Sequence, residues 1–184
     1  MYKRQEILCT FVPDDGKELI HEACLNAYGK GLFPKNVVPV KKAGDVYVAE
    51  LFHGQTAAFK DMALSLLPYL MTLSLKQLNE QREVMILAAT SGDTGKAALE
   101  GFKDVEGTCI KVFYPLDGVS AIQQQQMVSQ TGKNVKVIGI HGNFDDAQTA
   151  VKKAFASKEL KEASDKHNVC LLYTSDAADE GLGV

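Results

Sequence analysis

The sequence has no long uncharged apolar run, no excess of basic charge and no paired cysteines. No window approaches the roughly 20 apolar residues that span a bilayer as a helix. The stretch Met1-Tyr2-Lys3-Arg4-Gln5-Glu6 lacks the apolar segment of a secretory signal. A net charge of −3 offers no basic field to nucleic acid or to an anionic membrane. The cysteines, Cys9, Cys24, Cys109 and Cys170, are scattered without a CxxC pair, and the histidines share no metal-ligand spacing with them. Cys109 and Cys170 lie in apolar runs and read as small core residues rather than reactive thiols. There is no internal repeat and no low-complexity linker. What remains is a soluble globular chain with no metal site, whose expected compartment is the cytoplasm. At 184 residues it has length for one core and is short for two ordinary domains with linkers.

Two local patterns carry chemistry. The first is Glu50-Leu51-Phe52-His53-Gly54-Gln55-Thr56-Ala57-Ala58-Phe59-Lys60-Asp61, which reads as a strand end, a tight polar turn, and a lysine in the first turn of a long apolar helix. The positive end of a helix dipole disfavours a cation. A lysine held there among apolar neighbours tends towards the neutral amine, the form that attacks an aldehyde. Lys60 is therefore a candidate for covalent attachment to pyridoxal phosphate. The alternative is a solvated surface lysine whose stem lies along apolar surface.

The second is Val84-Met85-Ile86-Leu87-Ala88-Ala89, an apolar run suited to a strand buried on both faces. It leads into Thr90-Ser91-Gly92-Asp93-Thr94-Gly95 and then Lys96-Ala97-Ala98-Leu99-Glu100. This is strand, small-residue loop, helix. Glycines let backbone approach a ligand closely, and hydroxyls with helix-start amides can hold an anion. A nucleotide P-loop is excluded, because Thr90 stands where its first glycine belongs and Ala97 where its hydroxyl residue belongs. Either a capped helix start or a seat for a substrate carboxylate or cofactor remains.

Periodicity gives the surrounding elements. A helix is expected over Lys17–Tyr28, ended by Gly29, with Leu32–Lys42 irregular and a strand over Val46–Leu51. The Lys60 helix carries Phe59, Met62, Ala63, Leu66, Leu67, Leu70 and Leu73 on one apolar face, with a kink at Pro68. Three strand–helix units follow: Val84–Ala89 with Thr94–Lys103, Cys109–Tyr114 with Ser120–Thr131, and Val135–Ile140 with Phe144–Lys161. Ser120 with Gln123 fits a capping box, and Asn143 can cap the last helix. Val169–Tyr173 suits one more strand. Alternation of this kind predicts an α/β fold with a parallel, doubly wound sheet. Ligands in such sheets sit beyond the carboxyl ends of strands, so the Lys60 turn and the Thr90–Gly95 loop can share one cleft.

The blocks HGQTAAFKD, AATSGDTGKAALEGF, FYPLDGVSAIQQQQM and GIHGNFDDAQTAVKKAF, in this order, resemble threonine synthase, a pyridoxal-phosphate enzyme of the tryptophan-synthase-β type (fold type II). The likeness runs from about Pro34 to about Phe155. It implies the N-terminal part of a two-domain enzyme that converts O-phospho-L-homoserine and water into L-threonine and phosphate. By resemblance, Lys60 holds the cofactor and then moves protons between substrate carbons. Ser91 and Thr94, with Thr90, take the substrate carboxylate, and Asp93 lies near the cofactor ring hydroxyl. An aspartate there requires protonation or a compensating charge. Its alternative role is a helix cap. His53 and His141 read as turn residues that can line the same cleft, and Gln123–Gln126 as the semi-buried face of a helix.

The chain also departs from the family. Gln55 stands where the family block has proline, which loosens the expected turn. MYKRQ and the stretch from Cys170 onward do not fit the family pattern and resemble translated adapter sequence. The expected organisation is an N-terminal helical segment over 1–33, the α/β enzyme region over 34–168, and a non-family tail over 169–184. On this reading the chain is a fragment without the glycine-rich phosphate loop. It is expected to hold pyridoxal phosphate weakly, turn over nothing and expose apolar surface. The rivals are a serine/threonine dehydratase or cysteine synthase of the same fold type, and a non-enzymatic α/β module that binds a small anion. The partner in every case is a small molecule, with neither nucleic acid nor membrane.

Overall fold

The structure, a computed structural model, describes residues 2–29 and 31–174. The chain divides into two compact units, Met1–Glu80 and Gln81–Val184. The single core expected from bulk composition is replaced by one in each unit. No helix among the described residues is long and apolar enough to cross a membrane.

The first unit is built on helices. It runs α1 (Tyr2–Cys9), a 3-10 turn (Asp14–Gly16), α2 (Lys17–Tyr28), strands β1 (Val40–Ala43) and β2 (Val46–Ala49), α3 (Asp61–Leu64) and α4 (Leu67–Gln77). α2 has the bounds its periodicity predicts. Ile20, Ala23, Cys24, Ala27 and Tyr28 form its buried stripe and pack with Phe33, Val37, Met62 and Leu66. The opening residues, expected from the sequence to lie outside the family match, form α1. Within it, Gln5 is buried, and Arg4 Nη1 donates to the Tyr28 hydroxyl and to the Met62 carbonyl, the latter at 2.5 Å. The Tyr28 hydroxyl donates to the same carbonyl at 2.5 Å. Burial pushes the Tyr28 phenol above its ordinary pKa, with the Arg4 charge partly opposing.

Three expectations fail in this unit. The stretch Leu32–Lys42, expected to be irregular, ends in strand β1, whose pairing with β2 supplies the backbone partners that no local pattern announces. The Lys60 helix is not long. α3 ends at Leu64, the chain turns through Ser65 and Leu66, and Pro68 sits in the first turn of α4. Proline suits a helix start, where its missing amide has no partner to lose, so the residue that predicts a kink marks a new helix. The strand before Lys60 is also not part of a parallel sheet. β2 pairs antiparallel with β1, Val40 opposite Ala49, in a hairpin whose strand residues are all exposed. Val40, Val46, Val48 and Tyr47, the last 73% exposed, put apolar surface in water.

The second unit is the doubly wound part. It runs β3 (Glu83–Ala89), α5 (Asp93–Phe102), β4 (Thr108–Pro115), α6 (Ala121–Val128), β5 (Val135–Ile140), α7 (Phe144–Ala156), α8 (Lys158–Lys166) and β6 (Val169–Thr174). The four strands are parallel in the order β5-β4-β3-β6. The chain winds from β3 through β4 to β5, then returns past both to pair β6 with β3. Right-handed crossovers therefore put α5 and α6 on one face and α7 and α8 on the other. Leu87 and Ala89 of β3 pack with Ala147 and Val151 of α7. The predicted capping box of Ser120 with Gln123 forms, and Asn143 caps α7 as expected, in a capping box that Asp146 completes. The helix expected over Phe144–Lys161 is two helices, because extended Ser157 caps α8, its Oγ accepting from the Leu160 amide at 3.3 Å. Residues 175–184, most of the expected tail, lie outside the described residues.

Candidate functional site

In the first unit, Lys60 stands at the N-cap of α3 with helical φ/ψ, at the end of a run of tight turns. The Ala57 amide bonds the Gly54 carbonyl at 3.1 Å, and the Asp61 amide bonds the Ala58 carbonyl at 3.1 Å. Ala57 takes a left-handed φ of 57°. A four-residue helix aligns few peptide dipoles, so the dipole argument for a neutral Lys60 loses its basis. Turn geometry fixes the residue instead. Asp61 is 3% exposed, and its carboxylate accepts the Thr56 amide at 2.8 Å and the Thr56 hydroxyl at 2.6 Å. Thr56 is itself buried, so this pair closes the loop around the lysine. Lys60 is half-buried, with Nζ 5.2 Å from the Phe59 ring centroid.

His53, upstream, is bonded locally. Its Nε2 lies 2.8 Å from Glu50 Oε2, and Lys41 Nζ lies 2.8 Å from Glu50 Oε1. The Lys41 hydrogen bond, then that from His53, holds the Glu50 carboxyl below its ordinary pKa. A depressed folded pKa means that this support is complete above the unfolded carboxyl value and is lost as pH falls through the folded one. Carboxyl NMR should therefore show Glu50 titrating below a free glutamate, and Lys41→Met should move its midpoint upward.

In the second unit, the loop after β3 lies at the carboxyl edge of the strand where winding reverses, the usual ligand position in open α/β sheets. Thr90 continues the ladder, its amide bonding the Phe113 carbonyl at 3.0 Å. Its side chain then turns into the loop. Thr90 Oγ1 accepts the Gly92 amide at 3.0 Å and the Gly95 amide at 2.8 Å. At 1% exposure, the Thr90 hydroxyl shapes the loop from within. Gly92 is the N-cap of α5 with φ 145° and ψ −79°, a conformation suited to glycine. Ser91 is exposed and Thr94 half-buried. Asp93 is the first residue of α5 rather than its cap. Its Oδ1 lies 3.1 Å from Lys96 Nζ and accepts from Gln123 Nε2 at 2.9 Å. Lys96 is 8% exposed, so the charge compensation expected for Asp93 is a buried amine one helical turn away. His141, after β5, is exposed.

A threonine synthase from Pseudomonas aeruginosa is 44% identical over 130 residues, which is 70% of this chain. The structure superposes on the pyridoxal-phosphate-bound threonine synthase of Brucella melitensis with a TM-score of 0.69 and 37% identity over 89% of this chain. The chain belongs to the threonine synthase family. Threonine synthase from Escherichia coli gives a TM-score of 0.72 at 32% identity over 91% of the chain. The chain spans 27%, 33% and 36% of the lengths of these three threonine synthases, in the order given. No protein-family model matches it.

Three residues with structural work at these two loops escaped the threonine synthase motif reading. Asp61 follows Lys60 directly, yet a buried acid at a helix start looks like any first-turn acid. Lys96 looks like a solvated helix residue, although its place three residues after Asp93 on a helix gives an (i, i+3) pair in retrospect. Gln123 was legible as a capping-box partner only. Its second bond, to a residue 30 positions earlier, follows from the packing of α6 on α5.

Proposed function

We propose that the chain carries the lysine and carboxylate-binding part of a pyridoxal-phosphate enzyme that converts O-phospho-L-homoserine and water into L-threonine and phosphate. The observation that carries this reading is the 44% identity to a threonine synthase over 70% of the chain. The donor set fits the cofactor. Lys60 offers a primary amine on a turn closed by Asp61, and the 90–95 loop offers hydroxyls on a glycine-shaped bend. Lys60 would attach the cofactor, and Asp93, its charge balanced by Lys96, would approach the ring hydroxyl. When bound, the cofactor acts as an electron sink for the substrate carbons.

The remaining roles belong to the chain. Ser91 and Thr94 bind the substrate carboxylate, on a loop that Thr90 holds in shape. The Lys60 amine takes and returns protons at the substrate carbons, as a positioned base does. In the net reaction the Cγ–O bond to phosphate breaks, and the oxygen of water bonds to Cβ. Region 34–168 is the part assigned to this enzyme, with a small molecule as partner and the cytoplasm as setting. The net charge of −3 supports no nucleic-acid or membrane role.

The test is an assay of a protein of the relatives' length that carries this chain, with O-phospho-L-homoserine, L-serine and O-acetyl-L-serine in parallel. Equal release of threonine and phosphate from the first alone is expected. Turnover of L-serine or O-acetyl-L-serine instead would move the chain to a dehydratase or cysteine synthase. Loss of all turnover in Lys60→Ala should accompany the expected result.

A further inference from the structure

Gln123 joins two helix starts through one carboxamide. Its Oε1 accepts the Ser120 amide at 3.2 Å and the Ser120 hydroxyl at 3.1 Å, while its backbone amide donates to Ser120 Oγ at 3.2 Å. That half is the capping box of α6. Its Nε2 donates to Asp93 Oδ1 at 2.9 Å, the oxygen that also faces Lys96 Nζ. The carboxamide also packs on the loop backbone. A Cβ placed on Gly92 would lie 2.5 Å from Gln123 Cδ and 2.6 Å from Nε2. The side chain thus touches the loop at the two adjacent residues that precede Thr94.

We propose that Gln123 is a positioning residue for the ligand loop: its carboxamide, anchored by Ser120, sets the Gly92–Asp93 bend and through it the placement of Ser91 and Thr94. This rests on the reading of that loop as the substrate-carboxylate site. The donor end is specific. An acceptor in place of Nε2 faces the Asp93 carboxylate at hydrogen-bond distance and repels it. The acceptor end is not, because glutamate at the same helix position also completes a capping box. Gln123→Glu therefore separates the two halves of the residue's work, keeping the cap and breaking the bridge.

The experiment uses the full 184-residue chain, ¹⁵N-labelled, as wild type, Q123E and the double variant Asp93→Asn with Gln123→Glu. The Gly92 and Gly95 amides, both bonded to Thr90 Oγ1, report the loop; the Gln124 and Ser129 amides, bonded to carbonyls of Ser120 and Gln125, report α6. In Q123E the loop amides should exchange about tenfold faster or more while the α6 amides hold, as expected for losing a charged hydrogen bond. The double variant should recover wild-type loop exchange, since the introduced asparagine can donate to the introduced glutamate with the bond reversed, a rescue that general loosening of α6 would not give. O-Phospho-L-homoserine added at millimolar concentration should shift the Ser91 and Thr94 resonances of wild type, and of Q123E with about tenfold weaker affinity. Unchanged loop exchange in Q123E, or no recovery in the double variant, overturns the assignment of Gln123. Loop exchange as expected with no shift at Ser91 and Thr94 in wild type overturns the substrate reading instead.

Discussion

Replacing Asp61 with alanine should lower the stability of the chain by about 3 kcal/mol and free the turn that carries Lys60. The carboxylate accepts two bonds from Thr56, and both partners are buried. Hydrogen bonds to a charged group contribute about 1.5–3 kcal/mol, and the alanine variant leaves the Thr56 amide and hydroxyl without an acceptor and without water. Thr56→Val removes only the hydroxyl bond and should cost about 1 kcal/mol. Urea unfolding gives the stability, and exchange at the Thr56 amide gives the local effect. Equal costs for the two substitutions would show that the amide bond to Asp61 contributes nothing.

The second large effect is at Gly95. An added Cβ there would lie 2.4 Å from Thr90 Cγ2 and 2.8 Å from Thr90 Cβ. Both residues are buried, and the Thr90 hydroxyl is already committed to two loop amides. Thr90 cannot swing away without releasing them. Gly95→Ala should therefore cost about 2–3 kcal/mol, the upper range for overpacking in a filled core, despite alanine being the better helix former. Combining it with Thr90→Ser removes the nearest methyl and keeps the hydroxyl, and should recover part of that loss. A stabilised Gly95→Ala protein by urea unfolding would contradict the close approach of α5 to Thr90.

Much of the second unit was legible because its signals are local and agree with one another. Apolar runs of strand length give β3, β4 and β5, and Ser120 and Asn143 cap the helices after β4 and β5 as their sequences indicate. The doubly wound order follows once β6 returns to β3, which only pairing decides. The first unit was less legible. α2 shows a clean stripe, but α1 has no apolar face to read and is held by Arg4 and Gln5 reaching polar groups of α2 and α3. The hairpin partner β1 lies in a proline-containing stretch with no alternation of burial. Around Pro68, one apolar period continues across two helices, so periodicity alone runs them together. The candidate residues stood out by type and spacing. Their supports did not, because Asp61, Lys96 and Gln123 act through bonds that the chain makes only when folded.

The site at which pyridoxal phosphate attaches tests the proposed function most directly. The chain is incubated with the cofactor, reduced with borohydride, digested, and the modified lysines are ranked by peptide mass. Lys60 should be labelled ahead of every other lysine, and Asp61→Ala should reduce its label several-fold by loosening the turn. Label spread over the exposed lysines, with none on Lys60, would contradict the assignment.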